Sequence, residues 1–280
     1  MEEIELNNLS DFELVHIFEC GQCFRWQKEK DESYTGVIKC GVVNVKKEEE
    51  KTIITGSFKK EDEEYIREYL DLNNDYSAIK KIIEVNDENM QKAITYGYGI
   101  RILNQDPDII SAANNIPRIS KTIENISKAY GEKVEWNNKE YYKFPTPEAL
   151  SRASAQDLRN LNLGFRDKYV YNATQEVYSG KVDLENIEKM SYKEAKKELM
   201  KIQGVGEKVA DCILLFSMKK SEAFPVDTWI KKVMSELYSE SRNVKKISAF
   251  AENKFGKYAG IAQQYLFYYM RSNSADLIVK

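Results

Sequence analysis

The chain has 280 residues, 31% of them charged, and a formal net charge of −3; it is long enough to bury a sizeable core in two or three subdomains and carries no overall coat of basic charge. No apolar run approaches the roughly 18 residues of a membrane span, and the acidic start Met1-Glu2-Glu3-Ile4-Glu5 lacks a signal-peptide core. Four cysteines point to free thiols in a reducing compartment, and a single histidine, His16, removes His-based triads and most zinc hydrolase schemes.

Residues 1 to about 60 read mainly as strands, with Thr35–Cys40, Gly41–Lys46 and Thr52–Gly56 rich in β-branched residues and the charge run Lys46–Lys51 as a solvated turn. Ahead of them, Glu19-Cys20-Gly21-Gln22-Cys23-Phe24-Arg25-Trp26 is a glycine turn running into an alternating aromatic strand. Its Cys-x-x-Cys pair lacks the further ligands zinc needs, so two partly buried thiols are expected. From about Asp62 the pattern turns helical, and Tyr96-Gly97-Tyr98-Gly99 marks a soft domain junction. Asp106-Pro107 starts a helix that ends near Asn114-Asn115, and Pro117 opens the next. Phe144–Leu150 connects to another helix, and a further one ends at Gly164, presenting Phe165 and Arg166 on a loop: an aromatic and a cation suited either to entering a base stack or to anchoring the loop in the core.

The most informative stretch is Ile202-Gln203-Gly204-Val205-Gly206-Glu207-Lys208-Val209-Ala210-Asp211-Cys212. Two glycines allow a tight turn and close approach, and Val209, Cys212, Ile213 and Phe216 then recur at helical spacing. The helix therefore opens with unpaired N–H groups and a positive dipole end, which suits a phosphate. Lys208 sits in that first turn, where the same field disfavours its protonated amine, and a neutral amine is a nucleophile. Asp227, in Phe224-Pro225-Val226-Asp227-Thr228-Trp229, could orient that amine or balance positive charge on a substrate; it is also the natural N-cap of a helix from Thr228 to about Tyr238. Segment 219–246 carries more lysine and arginine than acid, either a nucleic-acid footprint or a solvated helical face. In the last strong helix, Ala259 to Met270, Gln263 and Phe267 share a face; a glutamine amide can read a base edge while an aromatic stacks on its face, or both can serve a core helix.

Together, Ile-x-Gly-Val-Gly-x-Lys-x-Ala with the later Pro-Val-Asp closely resembles the helix-hairpin-helix, Gly-Pro-Asp superfamily of DNA glycosylases, and Gly-Gln-Cys-Phe-Arg-Trp resembles a signature of its 8-oxoguanine DNA glycosylase/lyase branch. The resemblance implies an α+β protein with an N-terminal antiparallel β-sheet domain (1–98) and an all-helical glycosylase domain (99–280) holding the hairpin near 196–218. It implies removal of 8-oxoguanine from duplex DNA with AP-lyase strand cleavage, the alternatives being an alkylated-base glycosylase or a non-catalytic DNA-binding module. Lys208 and Asp227 are then catalytic. Gly21, Cys212, Phe216, Gln263 and Phe267 meet the base, the Gly21 carbonyl accepting from N7–H of the lesion. Asn115, Arg118, Phe165 and Arg166 serve the opposite base and the gap left in the stack, and Gly204, Gly206 and Val209 hold a phosphate. No cofactor is required, although the hairpin backbone is a candidate seat for a monovalent or calcium cation. The expected setting is a monomer acting inside the cell, with the DNA and no membrane. Gln203 stands where the family usually has proline, Trp229 where a histidine is common, and Ala113 where an asparagine is usual. No cysteine follows Cys212, so the C-terminal iron–sulfur loop of some relatives is absent.

Overall fold

A computed structural model describes residues 2–7, 9–106 and 116–277. The N-terminal third forms one antiparallel sheet of five strands, β1 (Glu2–Asn7), β2 (Trp26–Lys28), β3 (Tyr34–Ile38), β4 (Gly41–Glu48) and β5 (Lys51–Gly56), in the order β1-β5-β4-β3-β2. Register follows side-chain alternation: Ile4 and Val45 both pair with Ile54, placing three apolar residues on the buried face. The expected solvated turn is shorter than the charge run, because β4 continues to Glu48 and β5 already starts at Lys51. Helices Leu14–Phe18 and Glu63–Tyr69 cover the buried face and share its core.

The stretch read as an aromatic strand behaves differently. Residues 19–25 form bends, and only Trp26 enters β2. Trp26 stacks on Phe18 with ring centroids 4.2 Å apart and lies over Gly36, where a Cβ would come within 2.4 Å of the indole. Arg25 reaches away from the sheet, donating to Glu124 (3.0 Å) and to the Tyr142 carbonyl (2.5 Å).

The remainder is helical apart from a two-stranded hairpin, β6 (Lys133–Trp136) with β7 (Lys139–Tyr142), that the sequence reading did not include. One core gathers the helices between 184 and 277, and helices Tyr76–Ile83 and Glu88–Tyr96, which precede the soft junction in sequence, are packed into it. A smaller core joins helix Ile116–Tyr130 to the segments around 150–170. No helix among the described residues is long and apolar enough to cross a membrane.

Candidate active site

A cleft of about 1320 Å³ opens where the sheet meets the helices. Residues from four distant stretches line it: Gly21 from the bend before β2, Lys208, Cys212 and Phe216 from one helix, Asp227 from the start of the next, and Gln263 and Phe267 from the C-terminal helix. The local reasons for each placement are physical.

Lys208 is the second residue of helix Glu207–Ser217, whose N-cap, Gly206, has no side chain to occupy the first-turn amides. The hairpin closes through a Val205 N–H bond to the Ile202 carbonyl (3.0 Å), and helical bonding starts at Ala210, which donates to Gly206 (2.9 Å). The N–H groups of Gly204, Gly206 and Val209 therefore have no acceptor among the described residues. These three lie at the hairpin tip, outside the cleft lining. Gly204 has φ +92° and packs so close to the Tyr169 ring that a Cβ would sit 2.8 Å from it. At Gln203, the residue replacing proline, the side-chain carbonyl accepts from Asn172 (2.8 Å), so a tether to helix Asp167–Tyr178 stands in for ring rigidity.

Cys212 lies one turn beyond Lys208 and faces it. Burial pushes the Cys212 thiol up despite the neighbouring Lys208, which keeps it protonated and suits it to a contact surface. Asp211 turns to the other side of the helix, where it accepts from Tyr192 (2.8 Å) and pairs with Lys196 (2.8 Å). Asp227 is the N-cap of helix Thr228–Tyr238: Oδ1 accepts the Ile230 N–H at 2.7 Å. Asp227 also lines the cleft, so capping and facing the site coexist. Trp229, two residues on, is 40% exposed, with the Lys232 ammonium 5.5 Å from a ring centroid.

Across the cleft, the Gln263 side chain is 5% exposed and its Oε1 is buried with no hydrogen-bond partner among the described residues, a costly state unless something in the cleft supplies a donor. Gly21 has φ +89°, a conformation that favours glycine. Its flanking carbonyls are both used, since Cys20 accepts from Gln264 (2.9 Å) and Gln22 from Gln105 (2.7 Å). The carbonyl of Gly21 itself accepts from no described residue. The Gln22 side chain is buried and saturated, donating to Ile17 and Arg101 carbonyls (2.9 and 2.7 Å) and accepting from Leu103 N–H (2.9 Å). Sequence reasoning missed the bonding of Gln22, Gln105, Arg101 and Gln264, each of which has a partner tens to hundreds of residues away. Cys20 and Cys23 are buried free thiols, and burial pushes Cys20 up to about 11.

Phe165 and Arg166 do not line the cleft. They sit on a tight turn after Asn162 and Gly164, both at positive φ, with Phe165 70% exposed and the Arg166 guanidinium 4.5 Å from its ring centroid. So exposed a ring is not a core anchor. Asn115, and the expected helix from Asp106-Pro107 to Asn114-Asn115, lie outside the described residues beyond Asp106; Arg118 falls within helix Ile116–Tyr130, its side chain likewise undescribed.

A sheet domain bolted to a helical domain, with a hairpin whose following helix delivers a lysine opposite a helix-capping aspartate, defines a DNA glycosylase architecture. Residues 108–257 match the HhH-GPD superfamily base excision DNA repair protein family, to which the chain belongs. Residues 5–108 match the 8-oxoguanine DNA glycosylase N-terminal domain, which places it in that branch. A probable N-glycosylase/DNA lyase of Methanothermobacter thermautotrophicus is 32% identical over 74% of this chain and 74% of its own length. The N-glycosylase/DNA lyase OGG1 of Arabidopsis thaliana is 29% identical over 89% of this chain and 75% of its own. The 8-oxoguanine glycosylase/lyase of Clostridium acetobutylicum, solved with double-stranded DNA containing cytosine opposite 8-oxoguanine, superposes with a TM-score of 0.93 at 44% identity, covering 98% of this chain and 96% of that one.

Proposed function

We propose that the protein excises 8-oxoguanine from duplex DNA and then cleaves the strand at the resulting site. The observation carrying this reading is the convergence of Gly21, Lys208, Asp227, Gln263 and Phe267 on one cleft from segments more than 200 residues apart.

The hairpin amides of Gly204, Gly206 and Val209 take a backbone phosphate, fixing register without reading sequence. The lesion nucleotide turns out of the helix into the cleft, and Phe165 fills the space it leaves, with Arg166 and Arg118 meeting the opposite base. The base lies between Phe267 and Cys212, with Phe216 beside it. A guanine-type Watson–Crick edge supplies the donors that the Gln263 oxygen lacks. The Gly21 carbonyl accepts N7–H, which 8-oxoguanine has and guanine lacks, guanine presenting a lone pair there instead. The Lys208 amine forms a bond to C1′ as the bond from C1′ to the base breaks and the base departs with the electron pair. Asp227 offsets the positive charge that builds on the sugar. Opening of the sugar gives an imine between C1′ and Lys208; loss of a C2′ proton then expels the 3′ phosphate.

None of these steps needs a cofactor. A monovalent or calcium cation at the hairpin would be held by backbone carbonyls, because no group of three or more His, Cys, Asp or Glu side chains among the described residues could hold a metal ion. The enzyme works as a monomer wherever the cell keeps its DNA. An alkylated-base glycosylase or a plain DNA-binding module would have no use for Lys208 at the cleft. Borohydride added during reaction with an 8-oxoguanine duplex should reduce the imine and leave a covalent protein–DNA adduct. Lys208→Gln should bind the duplex and form none; an undiminished adduct in the variant would refute the role of Lys208.

A further inference from the structure

The direction of the Gly21 carbonyl is the quantity on which lesion recognition turns, and glycine at positive φ cannot set it alone. The peptide joining Gly21 to Gln22 is trans, so its C=O and N–H point in opposite directions. The carbonyls on either side of Gly21 are both held, that of Cys20 by Gln264 and that of Gln22 by Gln105, whereas that of Gly21 accepts from no described residue. Gly21 lines the cleft, so its unclaimed carbonyl is available to whatever the cleft holds. The Cys20 carbonyl is tied to the C-terminal helix: Gln264, 2% exposed, donates to it through Nε2 at 2.9 Å, while the Cys20 thiol donates to the Ile17 carbonyl at 3.3 Å. On the other side Gln105 donates to the Gln22 carbonyl at 2.7 Å. Removing either tie leaves a buried carbonyl seeking a donor, and the cheapest response of a glycine turn is to rotate a peptide plane.

We propose that Gln264 is a specificity-determining positioning residue: by holding the Cys20 peptide it aims the Gly21 carbonyl into the cleft. One helix then serves the base twice, Gln263 at its edge and Gln264 behind the turn that reads its other side. The inference rests on the proposed role of Gly21.

The test separates recognition of a base from the chemistry of the sugar. Cleavage of a preformed abasic site uses Lys208 but has no base to read. Gln264→Leu, which keeps volume and removes the donor, should slow single-turnover excision of 8-oxoguanine by about tenfold, the worth of one hydrogen bond in recognition, while abasic-site cleavage changes less than about twofold. Gln105→Leu, which frees the turn from the other side at a more exposed position, should show the same selective loss and serves where Gln264→Leu fails to fold. Unchanged excision in a folded Gln264→Leu, or equal loss of both activities in both variants, would overturn the proposal. A wild-type protein that cleaves abasic sites but spares 8-oxoguanine would remove the reading of Gly21, and this inference with it.

Discussion

Asp227 both caps a helix and faces the cleft, and Asp227→Asn separates the two roles. As a cap, asparagine is as good as aspartate: the amide oxygen can accept the Ile230 N–H that Oδ1 now accepts at 2.7 Å. The variant forfeits the interaction of a carboxylate with the helix dipole, about 0.3–1 kcal/mol. At about 2–4 °C per kcal/mol for a chain of this size, melting should fall by a few degrees at most. The catalytic consequence is of another order. A carboxylate that stabilises charge developing on the sugar acts only in the transition state, and loss of one such preorganised group costs roughly 10²–10³ in rate. Asp227→Ala is the control, losing the cap as well, about 0.5–2 kcal/mol, with a correspondingly larger drop in melting temperature. The measurements are single-turnover excision of 8-oxoguanine and thermal unfolding of the three proteins. Near-wild-type turnover in Asp227→Asn, with loss of activity only in Asp227→Ala, would show that the residue matters as a cap and refute a role in the chemistry.

Two further outcomes follow from the geometry. Phe165→Ala should slow excision from duplex DNA by about tenfold or more, since stacking on a base is worth roughly 1–3 kcal/mol, while the melting temperature stays put because the ring is 70% exposed; equal rates with and without the ring would exclude it from the stack. Lys196→Met strands the buried Asp211 carboxylate, which costs about 3–5 kcal/mol where the group stays charged. Burial already raises the Asp211 pKa against the pull of Lys196 and Tyr192, and removing the lysine raises it further. A carboxyl with a raised folded-state pKa favours the folded state below its unfolded value and loses that advantage as pH rises through the folded value. The variant should therefore be most destabilised at neutral pH and recover part of the deficit in acid; denaturant unfolding from pH 7 down to pH 4 reads this, and a constant deficit would contradict it.

What was legible in the sequence was whatever local chemistry determines. Strands β3 to β5 are written in Val, Ile and Thr, and helix Thr228–Tyr238 begins at its own N-cap. The hairpin could be read because two glycines before a helical repeat are a local arrangement. The β6–β7 hairpin was not, since no residue of Lys133–Trp136 or Lys139–Tyr142 is fully buried and the two lack an apolar alternation long enough to mark a strand. Residues 19–25 misled for a related reason: Phe24 and Trp26 alternate as a strand would, but Gln22 is buried by bonds to residues 17, 101 and 103, and those tertiary partners override the pattern. Gln264 was hidden by its setting, a polar residue in an apolar helix whose acceptor lies 244 positions away.

These long-range bonds also explain why the sheet domain belongs to the active site instead of merely flanking it. Gln105 donates its backbone N–H to the carbonyl of Phe216 (2.6 Å), near the end of the helix that carries Lys208, and its side chain to the carbonyl of Gln22 (2.7 Å), beside Gly21. Gln264 joins the same turn to the helix that carries Gln263 and Phe267. With the proposed contacts, a base held by its edge at Gln263 and by N7–H at Gly21 would be registered against the same frame that positions the amine. The sugar attached to that base then has its C1′ placed relative to Lys208 by three segments at once. Misplacement of about 1 Å between reacting groups can cost roughly 10²-fold in rate. Guanine, repelled at Gly21, would seat differently and leave C1′ out of register with the amine. On the proposed roles of Gly21 and Gln264, selectivity against the undamaged base would reside in the rate of bond breaking as well as in affinity, and the ties that fix Gly21 would contribute to both.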